Sequence, residues 1–203
     1  MSLPIISFIV LIISVILHEV SHGYMAEYLG DPTARLLGRL TLNPIPHIDL
    51  MGSIVLPLIF VLSGSPVVFG WAKPVPFDPR NIRGSQFKER YGGALVAAAG
   101  PLVNIMLAIA FGLVIRFAGL DPTMTQFFLI VVIINISLAV FNLIPIPPFD
   151  GHHILAALLP KSLRLKYLEL SRYSFVLMFV VAFVLWQFVS PLVLIIVQGI
   201  TGM

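Results

Sequence analysis

The sequence predicts an all-α integral membrane protein: about four transmembrane helices, a re-entrant or short apolar segment, and an extended loop. Three observations predict it. Hydrophobic residues make up 59% of the 203 residues and charged residues only 10%, with a mean hydropathy of +1.03, whereas soluble domains hold roughly 45–50% apolar residues. Several charge-poor runs are long enough to cross a hydrocarbon core of about 30 Å at about 1.5 Å per helical residue. Short stretches that contain Gly, Asp and Pro, such as Gly30-Asp31-Pro32 and Ala118 to Met124, separate those runs.

The first helix is expected over about Leu3 to Leu29. Pro4 suits a first turn, and Gly30-Asp31-Pro32 supplies the stop. Met1 to Leu17 lacks a basic region and a small-residue cleavage site, so the segment is read as a retained helix and not a removed leader. Leu50 to Ala72 carries no charge, but Pro57, Gly64, Pro66 and Gly70 interrupt it. Its continuous apolar core is about 13 residues, short of the roughly 20 needed to span, which suits a re-entrant segment or short helix. Gly92 to Phe117, Thr125 to about Leu143, and Tyr173 to Val197 are the remaining spans, charge-free apart from Arg116 near one end. The whole chain, residues 1–203, is read as a single domain with no room for a separate soluble one.

If the Leu50 to Ala72 segment enters and leaves by one face, residues 31–91 and 150–172 share a side and hold every Lys and Arg except Arg116. The positive-inside rule then places both loops in the cytoplasm, in what is expected to be a prokaryotic plasma membrane. The formal charge of +3 is spread over short loops flanking apolar runs and not along one stripe. Those basic residues read as topology determinants, and no nucleic-acid partner is expected. The absence of cysteine excludes disulfides and thiolate ligands, so any metal must be held by His, Asp or Glu. Gly100, Asn104, Ala108 and Gly112 recur four apart, giving one helix a face for close packing. That face is also where two copies of the chain could pair.

His18-Glu19-Val20-Ser21-His22 is an H-E-x-x-H pattern. On a helix the two imidazoles lie about 40° apart on one face and can share one zinc ion, leaving the glutamate free to act as general base. From the abundance of His and Glu in this chain, chance would supply about 0.002 such matches. With the helix starting near Leu3, His18 lies about 22 Å along it, leaving roughly 8 Å of hydrocarbon core beyond. Three ionisable groups at that depth cost several kcal/mol unless a metal or a water-filled cavity compensates. The alternative is a set of polar side chains reaching from a helix end toward the interface.

Two histidines leave a catalytic zinc one protein ligand short. Asp150 is the favoured third ligand: it ends Asn142-Leu-Ile-Pro-Ile-Pro-Pro-Phe-Asp150-Gly151, whose prolines interrupt the helix and turn side chains toward a cavity. Its alternative role is a cap for a helix over His152 to Leu159. His152 and His153 could compete for the metal, whereas His47 and Asp49 are left outside the metal shell as loop residues. Asn135 and Asn142 lie seven apart on one helix face; Asn142 is read as a donor to a tetrahedral oxyanion, Asn135 as an interhelical hydrogen-bonding residue. Gly70-Trp71-Ala72-Lys73-Pro74-Val75-Pro76 reads as an extended segment that either pairs with an unwound substrate or serves as a plain loop.

Together HEVSH, NPIPHIDLMGSIVLP, GWAKPVPFDP, AAAGPLVN and FNLIPIPPFDG resemble, in order and spacing, the site-2 protease family of intramembrane metalloproteases. The resemblance covers most of residues 1–155 and is nearest to compact bacterial and archaeal members without an appended PDZ or CBS domain. It implies one zinc per chain held by His18, His22 and Asp150, with Glu19 as general base. It also implies that Asn142 and Asn104 stabilise the oxyanion or position substrate. The substrates it implies are transmembrane proteins cut in or near their membrane segments. A metal-binding transporter and an inactive binder of membrane segments use the same ligands. The lack of an evident inverted repeat weighs against the first, and the complete ligand-and-base set against the second.

Overall fold

The computed structural model describes residues 3–63, 70–181, 184 and 186–203. Among them there are helices and no strand. Helix α1, Leu3–Tyr28, ends where Gly30 takes a positive φ of 113° and Asp31-Pro32 breaks the ladder. A one-turn helix α2, Thr33–Leu36, follows, then a 3-10 turn at Ile45–His47. The Leu50 to Ala72 segment begins with a wide helical turn at Leu50–Val55, capped by Asp49, which continues into α3, Leu56–Leu62. Gly64 and Pro66 lie outside the described residues. The chain then returns alongside its own start. Trp71 N–H donates to the Gly52 carbonyl at 3.1 Å and Lys73 N–H to that of His47 at 2.9 Å. The two ends of the segment therefore sit side by side, as in a hairpin that goes in and out from one side.

Helix α4, Gln86–Phe117, starts six residues before the apolar run does, because Ser85 caps it by accepting Lys88 N–H and tolerates a charged first turn. A tight turn with Gly119 at φ 59° leads to α5, Pro122–Asn142, capped by Asp121 and opened by a proline at its first position. The Pro-rich turn of residues 143–149 leads to α6, Asp150–Leu158, then to α7, Lys161–Leu168, and to a 3-10 turn at Glu169–Tyr173. Helices α8, Ser174–Val180, and α9, Trp186–Thr201, cover the expected fourth span; residues 182, 183 and 185 between them lie outside the described residues.

Among the described residues, α1, α4 and α5 are long and apolar enough to cross a membrane, and their outer faces expose large apolar side chains such as Phe8, Met106 and Leu113. This is the surface expected of an integral membrane protein, with hydrocarbon as solvent. Helix α4 is central, packing against α1, α5, α6 and α9. Its small-residue face is used inside the chain. A Cβ on Gly100 would fall 2.5 Å from His22 Nε2, and one on Gly112 2.3 Å from Ile200 Cγ2. Ala108 is fully buried in a core with Val132, Ile136 and Val193. The Gly100–Asn104 face is therefore covered by α1 and is not open to a second copy.

Candidate metal centre

The face of α1 that α4 covers carries His18 and His22, 5% and 9% exposed. Each ring is fixed through its Nδ1. His18 Nδ1 lies 2.6 Å from Asn104 Oδ1, and His22 Nδ1 lies 2.7 Å from the Val96 carbonyl. Val96 lies on the face of α4 turned toward α1, five residues before Pro101. Both partners are acceptors, so in the neutral rings both Nδ1 atoms carry the proton and both Nε2 atoms present bare lone pairs. Those lone pairs face each other at 3.1 Å.

Asp150 enters from the first turn of α6. Its Oδ2 lies 3.2 Å from His18 Nε2 and 3.4 Å from His22 Nε2. It is buried and has no hydrogen-bond partner. Phe149, not Asp150, occupies the cap position of α6, and no side chain caps it, so the capping alternative for Asp150 falls away. Three electron-pair donors thus converge, an arrangement that repels itself unless a metal ion or a shared proton sits between them. Donors around a tetrahedral zinc with bonds of about 2.0–2.1 Å lie about 3.3 Å apart. The observed triangle of 3.1, 3.2 and 3.4 Å fits that requirement.

His152 and His153 do not join this group among the described residues. His152 is 1% exposed, its Nε2 lies 3.1 Å from Ser171 Oγ, and its ring packs on Tyr167. Burial and the neighbouring His153 hold it below the ordinary imidazole range. His47 hydrogen-bonds the Thr41 carbonyl, and Asp49 accepts Gly52 N–H, so both are turn-forming residues.

Glu19, half-buried beside His18, lines a cavity of about 670 Å³ together with His18, Trp71, Asn142, Phe149 and Phe175. One carboxylate oxygen, Oε2, accepts the Val75 N–H at 2.8 Å. Asn142 also lines this cavity, with its Nδ2 on the Leu138 carbonyl. Asn104 does not. The expectation that it meets the oxyanion or substrate is corrected: the side chain is 0% exposed, because its oxygen is taken by His18 and its nitrogen donates to Asn135 Oδ1 at 2.8 Å. Asn135 in turn donates to Ser14 Oγ at 2.9 Å. This chain of buried amides ties α5 and α4 to the His18 ring. Sequence reasoning did not single out Ser14, and its polar place on an apolar helix face was the available signal.

A second knot holds the loop after α1. Asp31 is 0% exposed, accepting Thr33 N–H and Asn81 Nδ2 on Oδ1 and Asp78 N–H at 2.6 Å on Oδ2. Burial alone would raise its carboxyl, but the donors from Thr33, Asn81 and Asp78 outweigh burial and hold it below the ordinary value of 3.8.

Buried His donors on an apolar helix, a carboxylate completing the triangle and a glutamate beside them that is outside the ligand group define a membrane metallohydrolase. The sequence profile of peptidase family M50 matches residues 118–186. YwhC of Bacillus subtilis (strain 168), provisionally named a zinc metalloprotease, is 38% identical over 193 residues, covering 91% of this chain and 80% of its own length. Rip2 of Mycobacterium tuberculosis, provisionally named likewise, is 29% identical over 143 residues, 70% of this chain and 52% of Rip2. The zinc metalloprotease MJ0392 of Methanocaldococcus jannaschii is 27% identical over 154 residues, 76% of this chain and 34% of that protein. No solved structure gives a significant match. The chain belongs to peptidase family M50, the site-2 proteases. It is a membrane-embedded zinc metalloprotease.

Proposed function

We propose that this protease is an intramembrane endopeptidase that hydrolyses peptide bonds within or beside transmembrane segments of other membrane proteins. The observation that carries the reading is the convergence of His18, His22 and Asp150 on α1 and α6, with Glu19 in the wall of an apolar cavity beside them. His18, His22 and Asp150 would hold the zinc. Bound there, zinc supplies Lewis acidity that polarises a scissile carbonyl and makes water in the site easier to deprotonate. Glu19 Oε1 is left free by the Oε2 contact to Val75 and takes the proton from the attacking water, returning it to the leaving amine. Asn142, reoriented from Leu138, donates to the oxyanion.

The cavity size constrains the substrate. One turn of helix with side chains, a cylinder about 10–12 Å wide and about 5.4 Å tall, fills roughly 400–600 Å³. A space of about 670 Å³ is on the scale of a single turn, so only a short stretch of substrate occupies it at a time; unwinding is required because the peptide bonds of an intact helix are hydrogen-bonded and shielded. The active site faces the cytoplasmic side, because the loops at its mouth carry every Lys and Arg except Arg116. One domain spans residues 1–203, since α1, α4, α5, α6 and α9 share one packed interior.

The test measures zinc content of detergent-purified wild type, His18→Ala, Asp150→Ala and Glu19→Gln, together with cleavage of a fluorescent transmembrane peptide. Near-stoichiometric zinc in wild type and Glu19→Gln, its loss in the other two, and cleavage by wild type alone are expected. Cleavage by Glu19→Gln at the wild-type rate would overturn the role given to Glu19. Zinc retained by both ligand variants would overturn the ligand set.

A further inference from the structure

Arg39 is 8% exposed, yet no carboxylate lies within ion-pairing reach of it among the described residues. Its Nε is buried without a partner, and Nη2 spends its charge on two backbone carbonyls, Lys73 at 2.9 Å and Pro74 at 3.2 Å. Burying a guanidinium without an anion is strongly unfavourable. The bare topology role given to basic residues accounts for a solvated arginine, not for this one.

The Pro74 carbonyl and the Val75 N–H belong to one peptide group. Arg39 grips its oxygen, and its N–H donates to Glu19 Oε2 at 2.8 Å. The cation and the carboxylate are therefore joined through a single polarised amide, and hydrogen bonds at both ends of an amide strengthen each other. No other donor in this stretch can replace it, since Pro74 and Pro76 have no N–H. The segment forms no ladder of its own: Trp71 N–H on the Gly52 carbonyl and Lys73 N–H on that of His47 hold its start, Asp78 N–H on Asp31 holds its end, and Arg39 grips the carbonyls between them.

Gly23, one turn after Glu19 on α1, permits the approach. A Cβ there would fall 2.9 Å from Val75 Cγ1 and 2.4 Å from Leu40 Cδ2. Leu40 is the neighbour of Arg39, so the same notch seats both ends of the brace.

We propose that Arg39 is a positioning residue for Glu19: through the Pro74–Val75 peptide it fixes one carboxylate oxygen and leaves the other aimed at the metal centre. The inference rests on Glu19 being the general base. Arg39 touches neither metal nor substrate and acts on turnover through orientation. Losing it lowers kcat while KM and zinc content hold.

The experiment compares wild type, Arg39→Met, Arg39→Lys and Glu19→Gln on a quenched transmembrane peptide in detergent, with zinc measured on each. Arg39→Met is expected to lose about 10- to 100-fold in kcat, within the span typical of general-base contributions. KM should stay within about two-fold and zinc near one per chain, and Arg39→Lys should recover part of the loss. Wild-type kcat in Arg39→Met, or loss of zinc from the folded variant, would overturn the proposal. Failure of wild type itself to cut would instead overturn the functional reading. Hydrogen exchange of the 71–78 segment tests the brace without activity. The Val75 amide is expected to lose protection in Glu19→Ala and in Arg39→Met, and to lose less of it in Arg39→Lys. Unchanged protection in Glu19→Ala would overturn the proposal.

Discussion

Gly100→Ala places a methyl group against the metal centre. Its Cβ would stand 2.5 Å from His22 Nε2 and 2.6 Å from both His18 Cε1 and His18 Nε2. Comfortable carbon contacts begin near about 3.5 Å, so the rings or the helix must give by about 1 Å. The rings have little freedom to do so, because Asn104 and Val96 hold their far nitrogens at 2.6 and 2.7 Å. Metal sites tolerate about 0.2 Å in donor position, so the strain should appear as lost zinc affinity. Perturbing the support of a metal ligand costs about 10- to 100-fold in affinity, or about 1.4–2.7 kcal/mol; displacing two ligands should reach at least the upper end. The assay is competition for zinc against a chelator of known affinity, in detergent. Gly93→Ala is the control, on the same helix but with no atom within 4 Å of the added Cβ. Zinc affinity in Gly100→Ala within about two-fold of wild type would refute the argument, because it would mean that α4 does not form a rigid wall for the site.

Removing the amide behind His18 with Asn104→Ala should weaken zinc by about 10- to 100-fold, while Asn104→Asp, which keeps an acceptor for Nδ1, should bind more tightly than the alanine variant; chelator competition distinguishes them. Asp31 has a folded value below its ordinary 3.8, so its stabilising contribution is complete above about that pH and is lost as pH falls through the depressed value. Proteolytic resistance of the 31–81 loop should follow that acid limb. Asp31→Asn should flatten the limb and cost about 1–3 kcal/mol, since an amide nitrogen would face a backbone N–H. A substrate helix with a central glycine or proline should be cut faster than an all-leucine helix, because it unwinds more readily into the cavity; equal rates in a peptide cleavage assay would count against the unwinding requirement.

Long apolar helices and the HEVSH pair were legible because each depends on short-range pattern: hydropathy over one run, and two imidazoles one helical turn apart. Asp150 was legible only as one of two roles. The choice between ligand and cap turned on a bare Oδ2 and on Phe149 at the cap position, both tertiary facts. Asn104 sat in a visible stripe, but which of its neighbours claimed the amide depended on how closely α1 approaches α4. Arg39 offered no signal, since a lone arginine in a polar loop reads as solvated. Its burial arises from the return of residues 70–78, some 35 positions later. Local patterns thus reveal what the chain brings to the site, and long-range packing decides how each side chain is used there.

The four notches on α4 key the helix to a single register. Gly100 is cut to the two imidazoles, Asn104 to one ring nitrogen, Ala108 to the α5–α9 interior and Gly112 to Ile200. Sliding α4 by one turn would set a side chain where a hydrogen atom now fits. Inserting one residue between Gly100 and Gly112 would swing every later notch by about 100°. The metal site at the middle of this helix and the packing near its C-terminal end are therefore held in a fixed phase, and a change in length between them disengages one or the other.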